Sequence, residues 1–207
     1  MRGCRPLTRD EVAAAVEAIR GPAASRTKAL LLVGINTGFR ISELLALTVG
    51  DVVTSAGEIT RRVTVARRCM KGRHSSRTVL INSAARAALL QWLSVLAVRG
   101  YIHATDTLWP SFRTGRVIGR VQAWRLLVRA FVAAGLDGQL GTHCLRKTFA
   151  ANVYDELLER VAMGEPVDAF RAVSKLLGHA EITSTDKYLS FRLAEHDGVV
   201  ERAGVAI

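Results

Sequence analysis

Most of this chain is patterned for amphipathic helices, with apolar residues returning every three or four positions, and one tract breaks that rule. Thr8-x-x-Glu11 has the form of a capping box, opening a helix that turns Val12, Val16 and Ile19 inward, and Gly21-Pro22 closes it. A second helix is expected over about residues 26–36, broken at Thr37-Gly38, and a third starts near Arg40 and carries Leu44, Leu45 and Leu47. Between about residues 59 and 81 the period falls to two. There Val63 and Val65 alternate with polar residues, Lys71-Gly72-Arg73 follows, and Thr78-Val79-Leu80-Ile81 closes the tract. This reads as a β-hairpin with Lys71 at or near its turn.

Helices then return. Ser83 is placed to cap one bearing Ala85, Leu89, Leu93 and Leu96, and another carries Val121, Trp124, Val128 and Phe131. Gly141-Thr142 precedes a helix with Leu145, Phe149 and Val153 at four-residue spacing. A last helix ends at Leu176-Leu177-Gly178, with glycine where left-handed backbone commonly stops a helix. The pattern predicts an α+β chain, mostly helical, with one small antiparallel β-sheet.

Composition narrows the function classes. At 207 residues and 49% apolar content, the chain suits one folded domain over residues 1–207, without wholesale disorder. Lys and Arg number 29 against 18 acids, a net charge of +11, which favours a polyanionic partner, nucleic acid first. Seven of those cations (Arg61, Arg62, Arg67, Arg68, Lys71, Arg73 and Arg77) fall between residues 61 and 77 with no acid among them. Arg67, Arg68, Arg73 and Arg77 are therefore candidate DNA-binding residues, although such a run also suits a plain solvated face. Cys4, Cys69 and Cys144 are odd in number and match neither a disulfide framework nor a zinc pattern. No segment is apolar for 18 residues and no leader pattern opens the chain, so a cytoplasmic protein with no membrane partner is expected.

Six residues could carry chemistry: Arg40, Lys71, His143, Arg146, His179 and Tyr188. Glu43 lies three residues after Arg40, close enough to orient its guanidinium. His143 and Arg146 share a helix face, and with Thr142 as the cap both would lie in the first turn, where free N–H groups favour an anion. Taken singly, each residue has an ordinary explanation: a surface arginine, a solvated lysine, a helix-end histidine, a packed tyrosine. Taken together they can hold a phosphodiester, stabilise its transition-state charge and attack it.

The combination resembles the tyrosine recombinase (phage integrase) family. The matching stretches are Thr37-Gly38-Phe39-Arg40-Ile41-Ser42-Glu43-Leu44, the lysine of Lys71-Gly72-Arg73, His143-Cys144-Leu145-Arg146-Lys147-Thr148-Phe149-Ala150, and Leu176-Leu177-Gly178-His179 with Tyr188 nine residues on. The resemblance runs from about Pro6 to Phe191 and implies the fold of that family's catalytic domain. It implies Tyr188 as the nucleophile, forming a 3′-phosphotyrosyl intermediate, and Arg40 and Arg146 as the phosphate clamp. Lys71 would protonate the leaving 5′-oxygen, with Arg73 and Arg77 as neighbouring alternatives. His143 would assist proton transfer at the tyrosine, His179 would hydrogen-bond the phosphate, and Glu43 would support. No metal and no cofactor is implied. The implied partners are double-stranded DNA and further copies of the chain, as a dimer or tetramer synapse.

Two features depart from the family. Only 39 residues precede Arg40, so the separate N-terminal core-binding domain is expected to be absent, as in an excised domain or a short single-domain recombinase. Lys147 stands where many relatives carry a second histidine. Residues 189–207 are a possible C-terminal interaction segment. Two rivals remain open: a type IB topoisomerase-like enzyme that nicks and reseals, and a non-catalytic DNA-binding accessory protein of the same fold.

Overall fold

The structure, a computed structural model, describes residues 4–65 and 77–178. In chain order these form α1 (Arg9–Ala18), α2 (Ala24–Thr37), α3 (Ile41–Leu45), α4 (Val49–Val52), β1 (Arg62–Val65), β2 (Arg77–Leu80), α5 (Ser83–Val98), α6 (Arg120–Ala133), α7 (Thr142–Ala162) and α8 (Ala169–Leu177). The described chain is mostly helical, with one two-stranded antiparallel sheet. It divides into two compact units, Met1–Phe149 and Ala150–Ile207.

The first unit is built around α2 and α5, whose buried Leu30, Leu31, Leu89, Trp92 and Leu96 form part of one continuous core. Burying each such side chain contributes about 1.5–3 kcal/mol. Trp92 stacks on Trp109 with ring centroids 6.3 Å apart. Both indole N–H groups are satisfied: Trp92 donates to the Leu108 carbonyl at 2.7 Å, and Trp109 donates to the Leu44 carbonyl at 2.6 Å. That second bond fixes the end of α3. In the sheet Val63 faces Val79 and Val65 faces Arg77, and the pleat turns all four toward the interior.

The helix starts follow local chemistry. Thr8 and Glu11 form the expected capping box at α1, with Glu11 N–H donating to Thr8 Oγ1 at 3.2 Å and Thr8 N–H to Glu11 Oε2 at 2.9 Å. At α5 the cap is Asn82 rather than Ser83; its side-chain oxygen accepts from the Ala85 N–H at 2.9 Å. α3 is shorter than the leucine pattern suggests, so buried Leu47 lies beyond it, and α4 follows at once. On α6 the inward stripe is Ala123, Leu127, Ala130 and Phe131, while Val121 and Trp124 are 62% and 47% exposed. Only Phe131 of the expected stripe is fully buried there.

In the second unit the described residues comprise the later turns of α7, and α8. Asp168 caps α8 by accepting from the Arg171 N–H at 2.9 Å. Ala169, Val173 and Leu177 form its buried stripe. Gly178 ends it in left-handed backbone, with φ 61° and ψ 45°. No helix among the described residues is long and apolar enough to cross a membrane.

Candidate active site

The site grows from the turn between α2 and α3. Gly38 closes α2 at φ 61° and ψ 21°, donating its N–H to the Gly34 carbonyl at 3.1 Å. A β-carbon there would sit 2.8 Å from Phe149 Cγ and closer still to Cδ1, so glycine is required for both conformation and space. One turn earlier, a β-carbon on Gly34 would come within 2.5 Å of Leu145 Cδ1. These two glycines let α2 approach the start of α7 closely.

Arg40 occupies the position before the first turn of α3, in extended backbone. Glu43 reaches back to it twice. Its Oε2 accepts the Arg40 backbone N–H at 2.8 Å, and its Oε1 accepts from Arg40 Nη1 at 2.8 Å. Glu43 is 1% exposed, whereas Arg40 is 35% exposed and so retains access to solvent. The same carboxylate receives a second guanidinium: Arg77 Nη2 donates to Glu43 Oε2 at 3.0 Å. Burial pushes the Glu43 carboxyl up, but the Arg40 N–H, Arg77 and the Arg40 side chain outweigh it and hold it below the usual carboxylate range.

α7 brings the remaining pieces. It begins at Thr142, one residue earlier than a cap at that position would allow, so His143 lies in its first turn and Arg146 opens the second. Arg146 is 1% exposed and donates from Nη1 to the Gly38 carbonyl at 2.6 Å. His143 is exposed. Partial desolvation, then Arg146, Lys147 and Arg40, hold its imidazole below the ordinary pKa, so it is neutral near pH 7 and able to accept a proton. Arg40 and Glu43 are thus brought into one neighbourhood with His143 and Arg146, which lie one hundred or more residues further along the chain.

The start of α7 also carries one half of a thiol pair. Cys4 accepts a hydrogen bond from Cys144, which, against the effect of burial and with help from Lys147, lowers its thiol pKa to about 7. The same bond pushes Cys144 up, and Gly141 N–H donates to Cys144 Sγ at 3.1 Å.

The other expected site residues are Lys71, Arg67, Arg68, Arg73, His179 and Tyr188. They lie outside the described residues, as does the segment 189–207. Arg77 lies within them and differs from its expected place on a solvated basic face. It is 8% exposed, paired with Glu43, and stacked 5.6 Å from the Phe39 ring centroid. The signal was present in the alternation Arg77-x-Val79-x-Ile81, which puts the arginine on the core face of its strand. A second basic region escaped the sequence reading. Between Asp106 and Asp137 the chain carries Arg113, Arg116, Arg120, Arg125 and Arg129 and no acid. All five are exposed, and Trp124 among them brings its Nε1 beside Gly141, next to the start of α7.

Comparison with known proteins gives a consistent set. The family model described as the phage integrase family matches residues 5–194. The tyrosine recombinase XerD of Mycobacterium leprae is 34% identical over 196 residues, covering 89% of this chain and 56% of its own length. That of Halalkalibacterium halodurans is 31% identical over 189 residues, with the same coverage of 89% and 56%. The chain therefore spans about half the length of the curated relatives it matches. Among solved structures, the XerA recombinase aligns over 100% of this chain and 68% of its own, with TM-score 0.73 and 22% identity. XerH bound to its palindromic difH substrate, in a post-cleavage complex, covers 95% of this chain and 53% of its own, with TM-score 0.68 and 22% identity. These likenesses establish a shared fold.

Proposed function

Because this chain belongs to the phage integrase family, we propose that it is the catalytic portion of a site-specific DNA recombinase, cutting and rejoining strands through a 3′-phosphotyrosyl intermediate. The observation that carries this reading is the convergence of Arg40 and Arg146 on one turn, with a neutral His143 beside them. Planar guanidinium groups suit the non-bridging oxygens of a phosphodiester better than ammonium groups do.

In this mechanism Tyr188 attacks the scissile phosphorus, the bond to the 5′-oxygen breaks, and a phosphotyrosyl bond forms in its place. A free tyrosine near pH 7 is ionised about once in a thousand, a deficit of roughly 4 kcal/mol. His143 accepts the phenolic proton, the arginines stabilise the added charge, His179 hydrogen-bonds the phosphate, and Lys71 protonates the leaving oxygen. Glu43 orients Arg40. The covalent bond conserves the energy of the broken linkage, so rejoining requires no ATP, and the arginines supply the charge that a metal would otherwise bring.

Duplex DNA is the proposed partner, bound through the basic tract at residues 61–73 and the exposed arginines at and before α6. Solved relatives support this: XerH is seen on its difH substrate, and lambda integrase as a dimer on a COC′ core site. Self-association on DNA and a cytoplasmic site of action complete the proposal.

The test is to incubate the chain with random duplex DNA, denature it, recover protein-linked strands and sequence them. A shared sequence at the protein-linked 3′ ends, lost in Tyr188→Phe, is the expected result. Linkage that survives Tyr188→Phe would remove the nucleophile assignment, and resealing without exchange between two duplexes would favour a topoisomerase-like activity.

A further inference from the structure

With Arg40 as a phosphate clamp and Glu43 as its support, a difficulty of charge arises. An arginine held by one carboxylate is a neutral ion pair, and a neutral pair has little long-range attraction for a phosphate. Glu43 holds Arg40 at both its backbone N–H and its Nη1, each at 2.8 Å, so the guanidinium charge has a carboxylate beside it.

Arg77 resolves it. Its Nη2 lies 3.0 Å from Glu43 Oε2, the oxygen that also accepts the Arg40 backbone N–H. The trio of Arg40, Glu43 and Arg77 carries one net positive charge. Of the two cations only Arg40, at 35% exposure, is placed to present that charge outward; Arg77 is 8% exposed and covered by Phe39. The burial of Arg77 is built into the strand, since it faces Val65 on β1 and shares the inward side of β2 with Val79.

We infer that Arg77 is a positioning residue: by sharing the Glu43 carboxylate with Arg40, it keeps Arg40 oriented while leaving it a net positive charge to offer a phosphate. The inference rests on the recombinase reading only for the identity of that phosphate. It takes Arg77 out of direct contact with DNA. It also gives Glu43 a divided duty, orienting one arginine while its charge is balanced by the other.

Arg77→Gln leaves Arg40 and Glu43 as a neutral pair and weakens the site. Adding Glu43→Gln to that variant returns the net charge to Arg40, whose Nη1 still finds the single amide oxygen although its backbone N–H loses its acceptor, and so strengthens it in part. A role in packing alone would make the double variant worse than the single one.

The experiment is a titration of the 207-residue chain with inorganic phosphate, followed by the NMR resonance of the Arg40 Nε–H group, with the unfolding midpoint of each variant measured alongside. Arg77→Gln is expected to weaken phosphate binding at Arg40 by about fivefold or more, from loss of one nearby unit charge. Arg77→Lys, which keeps the charge, should stay within about twofold of the parent, and the double variant should recover part of the loss. An unchanged affinity in folded Arg77→Gln would overturn the inference, as would a deeper loss on adding Glu43→Gln. If Arg77→Gln does not fold, Arg77→Lys decides: retained affinity supports the charge account, and a loss of fivefold or more in a folded protein overturns it. The same ranking is expected in the rate of covalent capture of DNA. A chain that shows the phosphate ranking but captures no DNA leaves Arg77 in its role and defeats the recombinase reading.

Discussion

Replacing Gly38 by alanine tests whether the turn that presents Arg40 is as constrained as it looks. The backbone there is left-handed, at φ 61° and ψ 21°, where an L side chain costs about 1–2 kcal/mol. The added methyl also meets the Phe149 ring, with Cγ only 2.8 Å away, and forcing a ring to shift in a packed region costs about 1–3 kcal/mol. Together these give roughly 2–5 kcal/mol, or a fall in thermal midpoint of roughly 4–20 °C for a chain of this size. Circular dichroism melts and urea titrations of Gly38→Ala, Phe149→Ala and the double variant separate the two contributions. In the Phe149→Ala background the methyl has room, so the Gly38→Ala penalty should shrink to the backbone part of about 1–2 kcal/mol. An equal penalty in both backgrounds would refute the steric argument, and one below about 1 kcal/mol in the parent would refute both arguments.

Three further outcomes are expected. The His143 imidazole should titrate below its ordinary pKa of 6.5 in an NMR pH series, and Lys147→Gln should raise the midpoint by removing one like charge; a midpoint above 6.5 would contradict the cationic surroundings. Cys4 should be alkylated by iodoacetamide with a rate that rises through about pH 7, and Cys144→Ala should move that rise to higher pH, since the stabilising hydrogen bond is gone. DNA affinity should fall steeply with added salt, and Arg116→Gln and Arg120→Gln should each lower the slope by about 1 where the side chain touches a phosphate; unchanged slopes would remove the α6 end from the DNA interface.

The sequence revealed much of this wherever one residue's chemistry decides the local outcome. Thr8 with Glu11, Gly38 after Thr37, and Gly178 after Leu177 each act through their own caps and dihedrals, and the helices begin or end there. The strand alternation gave the sheet correctly. Legibility failed where neighbours far along the chain decide. Val121 and Trp124 match a helical period, yet small Ala123 and Ala130 are the residues that face the core, a choice that packing makes and periodicity does not. Charge alone puts Arg77 on a solvated face, whereas its pleat position and a carboxylate 34 residues away determine where it lies. The family motifs could name Arg40 and Arg146, but not that Glu43 serves two arginines at once.

What the described structure adds is a division of labour between two arginines that a motif treats alike. Arg146 spends one donor on the Gly38 carbonyl and is sealed from solvent, so it braces the turn. Arg40 stays partly exposed, its direction set by a carboxylate whose charge Arg77 offsets. Residues 38–43 are therefore held from three sides: by the left-handed glycine, by α7 through Arg146, and by β2 through Arg77 and Glu43. Two of these restraints come from residues distant along the chain, so the turn reaches its final geometry only once the helices and the sheet of the first unit have packed. Preorganisation of this kind is what a phosphate clamp requires, because donors fixed in advance need not be reoriented when charge builds in the transition state.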